Sequence, residues 1–343
     1  MTASEKIRLM PKTEVHLHLE GTISAETLWA MAARNGVALP VKDLDELRGM
    51  YVFESFDKFI RLWLLMCSCL KTEGDYTGMV DGFVAECGRQ NIRYAELHFT
   101  PYNHEKYGIG AKRALEIVTN RLLESEKAGG PVTRLITDIP SEAGQESGDF
   151  TAAFLEGIAN PLIVAIGLGG PEQGFPRAPF APFFERARRA GYPCVAHAGE
   201  TAGADHVRQA VIDLGARRVQ HGIRAVEDES VLRLLAERHI CCDVALTSNA
   251  CLTGYSDLKE HPIRRMIDAG VPVTISTDDP PFFGTDLLGE YRRAHEEVGL
   301  SLGEIWQANL NGLRFGLADV GLRRRLLQEF EAAGRAIGSL STP

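Results

Sequence analysis

Along its whole length the chain alternates short apolar runs with longer segments whose apolar residues recur at helical period. That alternation is the pattern of β-α units building a parallel sheet. Eight runs qualify as strands, at 14–20, 93–100, 133–139, 162–168, 193–198, 218–221, 242–247 and 273–277. Eight strands separated by helices is the count of a (β/α)8 TIM barrel, an α/β fold closed on itself. Residues 24–90 leave room for several helices between the first two strands and are expected to form a helical insertion capping the barrel mouth. The 343 residues, 45% of them hydrophobic, suffice for a large core, and we expect one domain over 1–343.

Polar residues concentrate where these strands end. His16 and His18 share one face of the first strand, because side chains alternate with a period of two. Glu96 and His98 lie on the second strand and Asp138 on the third, and Gly169-Gly170-Pro171-Glu172 closes the fourth. His197 and Glu200 end the fifth, His221 the sixth, Ser248 and Asn249 the seventh, Asp278 and Asp279 the eighth. In a barrel, strand ends converge on one pocket. One such residue is as readily a hydrogen-bonded core group; the same placement on nearly every strand points to a site.

A net charge of −9 argues against a nucleic-acid partner, which needs clustered Lys and Arg. No apolar run is long enough to cross a membrane. Seven cysteines, an odd number without a C-x-x-C pair, read as reduced thiols filling the core of a cytoplasmic protein. The missing C-x-x-C also excludes a cytidine-deaminase type of zinc site.

His16, His18, His197 and Asp278 offer three imidazole nitrogens and a carboxylate. This borderline-soft set suits one zinc ion per chain and leaves a position for water. A two-metal hydrolase on the same scaffold is disfavoured, since no lysine lies in or near 162–176.

The strings Pro11-Lys12, His16-Leu17-His18-Leu19-Glu20-Gly21, His197-Ala198-Gly199-Glu200, His221-Gly222 and Ser276-Thr277-Asp278-Asp279-Pro280, in that order, resemble the adenosine/adenine deaminases of the amidohydrolase superfamily. The resemblance implies a zinc-dependent barrel hydrolase that replaces the 6-amino group of a purine by oxygen. It implies His16, His18, His197 and Asp278 as metal ligands and His221 as the residue that orients and helps deprotonate the water. Glu200 would protonate N1 of the purine, Asp279 would bond N7 and the Gly170 backbone would meet N3. Glu200 must then stay protonated at working pH, which requires a raised pKa. Asp279 must be protonated too, because N7 only accepts.

Two features depart from the adenosine-specific pattern. Glu20 stands where those members carry Asp, and 167–176 lacks their Ala-Gly-Asp-Glu string; Glu20 and the Glu-x-Gly-x-Pro end of that segment resemble the adenine deaminase branch, whereas its Gly-Gly-Pro start does not match the Asp-Ser-Ser usual there. Glu20 or Glu172 is therefore expected to accept N9–H of a free base, giving adenine as substrate and hypoxanthine plus ammonia as products. Adenosine and aminodeoxyfutalosine are the alternative substrates, and a purine-binding protein without catalysis is a remote one. His98 is expected to be structural or to back the site. His104, His206, His239, His261 and His295 are expected at the surface or in packing. Phe53, Phe56, Phe59, Trp63 and Leu65 are candidates to line the pocket from the insertion, although an apolar helical stripe is more often core.

Overall fold

The computed structural model describes residues 1–53 and 55–338, so the last five residues of the expected domain lie outside the described residues. Eight strands pair in chain order: β1 (Lys12–His18), β2 (Ile92–Phe99), β3 (Val132–Pro140), β4 (Ile163–Gly169), β5 (Cys194–Ala198), β6 (Ala216–His221), β7 (Cys241–Val244) and β8 (Val273–Ile275). Every neighbouring pair from β1 to β8 is parallel. The barrel closes just past β8, where Asp278 N donates to His16 O at 2.9 Å and His18 N donates to Asp278 O at 3.0 Å. The fold is the expected (β/α)8 barrel.

Three strands end two or more residues before expectation, each for a local reason. β1 stops at His18, and Glu20–Thr22 is a single 3-10 turn, so the strand period no longer fixes where Glu20 points. β7 stops at Val244, and Leu246–Leu252 is a helix that carries Ser248 and Asn249. β8 stops at Ile275, leaving Asp278 and Asp279 on the segment beyond it.

The expected insertion consists of the helices Ala25–Asn35, Leu44–Met50, Phe56–Cys69 and Glu73–Gln90. Each opens on a Ser, Asp or Thr side chain that accepts the backbone N–H three residues on, namely Ser24, Asp43, Ser55 and Thr72. Such caps satisfy amides that a helix start leaves bare. The Phe56–Cys69 helix buries Phe59, Leu62, Trp63 and Met66. Six of the seven cysteines are buried and all are free thiols. No helix among the described residues is long and apolar enough to cross a membrane.

A buried charge cluster fills the barrel toward the strand starts. Arg218 on β6 donates through Nε to Asp243 Oδ2 (2.8 Å), through Nη1 to Glu96 Oε2 (2.6 Å) and through Nη2 to Val15 O (3.1 Å). Glu96, expected at the pocket, is instead consumed here, two residues earlier on β2 than His98. A buried guanidinium is tolerable only when its donors find acceptors, and these carboxylates supply them.

Candidate active site

His16, His18 and His197 bring their Nε2 atoms together at the strand ends. His16 Nε2 and His18 Nε2 each lie 3.1 Å from His197 Nε2, and Asp278 Oδ1 lies 3.3 Å from His16 Nε2 and 3.4 Å from His18 Nε2. Two of the rings have their tautomer fixed from behind: His16 Nδ1 donates to Asp243 O and His197 Nδ1 to Leu168 O, both at 2.9 Å. Their Nε2 lone pairs therefore face each other, an arrangement that repels unless a cation sits among them. An ion with metal–nitrogen bonds of about 2.1 Å holds neighbouring ligand atoms about 3.0–3.4 Å apart, the range of these four separations, and His16, His197 and Asp278 also form with His221 a group that could hold a metal ion. Ser248 Oγ donates to Asp278 Oδ2 at 2.7 Å and fixes the carboxylate plane. Asp278 and His221 have φ of 64° and 60°, the left-handed region that non-glycine residues avoid. Barrel closure holds Asp278 there through its two backbone bonds to β1.

His221 is oriented by a chain of hydrogen bonds whose direction a backbone amide sets. Ile263 N–H donates to His261 Nδ1 (3.2 Å), so His261 carries its proton on Nε2 and donates to Asn249 Oδ1 (3.2 Å). Asn249 Nδ2 then donates to His221 Nδ1 at 3.0 Å. His221 is left with Nε2–H, directed at Glu200 Oε2 (3.7 Å) and Asp278 Oδ2 (3.9 Å). His261, assigned to surface or packing from sequence, is buried and belongs to this chain.

Glu200 and Asp279 are both buried. Burial, together with the Asp278 and Glu172 carboxylates, pushes Glu200 well above the usual carboxyl range. Burial and Asp278 do the same to Asp279. Asp279 Oδ1 has no hydrogen-bond partner, and a Cβ on Gly21 would lie 1.8 Å from it. Gly21 follows Glu20 in the first string because only glycine leaves that room.

The remaining expected residues separate. Gly170, with φ of 80°, lines the cavity. Glu172 does not: its Oε2 accepts the backbone N–H groups of Glu200 (3.1 Å), Thr201 (2.9 Å) and Ala202 (2.6 Å), holding the loop that carries Glu200. Glu20 does not line it either. Its Oε1 accepts from Thr100 N (3.0 Å) and His104 Nε2 (2.8 Å), and His104 is fully buried rather than at the surface. Asp138 lines the cavity, accepts from His98 Nδ1 at 3.0 Å and stands 3.7 Å from His18 Nδ1; burial pushes its carboxyl up to about 7. His98 thus backs the site through Asp138. Phe56, Phe59 and Trp63 line the cavity, with the Trp63 ring 5.5 Å from that of His18. Phe53 packs instead on Phe59, Phe282 and Phe283, and Leu65 packs against the core. Glu142, on the turn after β3, also lines the cavity, and no sequence pattern marks it.

A barrel mouth that gathers a cluster able to hold a metal ion and two buried carboxyls with raised pKa is equipped for hydrolytic chemistry. A profile described as adenosine deaminase matches residues 11–333. An aminodeoxyfutalosine deaminase of Streptomyces coelicolor is 36% identical over 324 residues, covering 94% of this chain and 84% of its own. An adenine deaminase of Bordetella parapertussis is 32% identical over 316 residues, covering 91% and 98%. The crystal structure of an adenine deaminase from Arthrobacter aurescens superposes with a TM-score of 0.90 at 30% identity, covering 95% of this chain and 99% of that one. The chain belongs to the adenosine deaminase family. It is accordingly a hydrolase acting on C–N bonds.

Proposed function

We propose that this protein is a zinc-dependent 6-aminopurine deaminase whose substrate is adenine. The reading rests on one observation: His18, His197 and Asp278, with His16 buried against them, line the same cavity as Glu200, His221 and Asp279. Zinc held by those four ligands would act as a Lewis acid, making hydroxide available near neutral pH.

The rest falls to the side chains. Glu200 delivers a proton to N1, which breaks ring conjugation and exposes C6 to attack. Its burial keeps that proton on the carboxyl until the purine arrives. Asp279 donates to N7, and the Gly170 N–H meets N3. His221, carrying Nε2–H, orients the attacking water as a hydrogen-bond donor, a different emphasis from deprotonating it. A C6–O bond forms and the C6–N bond breaks. The two protons of the consumed water end on N1 and on the departing ammonia, with Glu200 as carrier. Trp63, Phe56 and Phe59 screen the ring from bulk water.

A nucleoside substrate is the second reading, favoured by the 36% identity to an aminodeoxyfutalosine deaminase. The test is to follow ammonia release and the change in ultraviolet absorbance with adenine, adenosine and aminodeoxyfutalosine on zinc-loaded protein. Adenine turned over far faster than the nucleosides, with activity lost to a chelator and restored by zinc, is the expected result. Inertness toward all three refutes the reading.

A further inference from the structure

We propose that Glu142 is the specificity residue for the N9 edge of the bound purine, its carboxylate accepting N9–H of a free base and excluding bases that carry a sugar there. The inference rests on the aminopurine reading above and supplies what that reading lacks, a residue that separates base from nucleoside.

Three carboxylates are candidates for this role. Glu20 and Glu172 spend one oxygen each on protein donors, and although Glu20 Oε2 and Glu172 Oε1 have no hydrogen-bond partner, neither residue lines the cavity. Glu142 does line it, and its Oε2 is out of solvent contact without a partner. A buried acceptor without a partner is unfavourable until a donor reaches it.

The position of Glu142 is fixed. Ser141 Oγ donates to Pro171 O at 2.8 Å and ties the turn after β3 to the loop after β4. This brings Glu142 Oε2 to 2.2 Å from where a Cβ on Gly170 would stand. The Arg177 guanidinium, wholly buried, faces the Gly170, Pro171 and Phe175 carbonyls at 3.3–3.4 Å and supports the loop from behind. If Gly170 meets N3, the group next to it on the C4 side faces N9, the next ring nitrogen, which carries a proton in adenine. A ribose on N9 would be driven into the carboxylate, and its glycosidic nitrogen has no proton to offer. Burial holds the Glu142 carboxyl above its usual range, offset in part by its own backbone N–H, Arg177 and Lys106, and an arriving N–H donor favours the ionised form.

The experiment compares Glu142→Leu and Glu142→Gln with the parent protein, zinc-loaded, on adenine and 9-methyladenine. Binding of hypoxanthine and 9-methylhypoxanthine is measured beside it as a readout independent of turnover. We expect Glu142→Leu to lower kcat/KM for adenine, and affinity for hypoxanthine, by about 10- to 100-fold. The 9-methyl compounds should change little, and Glu142→Gln, which keeps an acceptor oxygen, should recover part of the loss. If Glu142→Leu fails to fold, Glu142→Gln carries the comparison by the same ratio. An unchanged ratio of base to 9-methyl compound overturns the proposal while leaving the deaminase reading intact, as does adenosine losing as much as adenine. If the parent protein deaminates no purine, the function itself fails, and hypoxanthine binding still decides whether Glu142 reads N9–H.

Discussion

Replacing His261 by phenylalanine tests whether the hydrogen-bond chain behind His221 is real. The imidazole is buried, accepts from Ile263 N–H and donates to Asn249 Oδ1, so its loss strands one donor and one acceptor. At about 1–3 kcal/mol for each stranded group, the variant should be about 2–6 kcal/mol less stable at pH 7. The pH dependence is more specific. Burial pushes His261 down to about 3, whereas an unfolded histidine titrates near 6.5. Between those values the unfolded chain binds a proton that the folded one does not, so this residue's contribution is complete above 6.5 and is lost as pH falls toward 3. At pH 5 the parent protein has lost about 2 kcal/mol through His261, a loss the phenylalanine variant cannot suffer. Urea denaturation of both proteins at pH 7 and pH 5, equally metal-loaded, should therefore show the stability gap shrinking by about 2 kcal/mol. Other titrating groups, metal ligands included, are common to both and cancel. A gap that stays constant refutes the buried neutral imidazole. The same variant frees Asn249 to rotate, so kcat should fall more than KM rises; an unchanged kcat would mean that the chain does not set His221.

Three further perturbations follow from single contacts. Gly21→Ala places a methyl group where Asp279 Oδ1 stands, and kcat/KM for adenine should drop by about 10- to 100-fold while circular dichroism stays native. Glu20→Asp withdraws the carboxylate from His104 and Thr100, so chemical denaturation should show a loss of about 1–3 kcal/mol with the adenine-to-adenosine preference unmoved; a changed preference would return the N9 role to Glu20. Lys12 Nζ donates to Met10 O (2.8 Å), Gln90 O (3.0 Å) and Arg8 O (3.4 Å), and Lys12→Met strands those carbonyls. Thermal melting should report a loss of about 2–5 kcal/mol with the adenine KM preserved.

The sequence by itself determined the repeat of strand and helix, and with it the barrel, because hydrophobic period is a local property that survives in one dimension. It also marked the histidines and carboxylates that converge. His16 and His18 share a face by strand period alone, and His197, Glu200, His221, Asp278 and Asp279 lie at or just beyond strand ends, which a barrel gathers at one mouth. Only the tertiary structure decided which carboxylates reach the cavity. Glu20, Glu96, Glu142 and Glu172 look alike in sequence. One turn past β1 gives Glu20 to His104, Arg218 from across the barrel takes Glu96, and three loop amides take Glu172, which leaves Glu142 at the cavity. His261 was equally invisible, since its partner Asn249 lies on another element. A hydrogen bond between residues far apart in the chain leaves no periodicity behind, so side chains of one type divide between scaffold and site only once the barrel has closed.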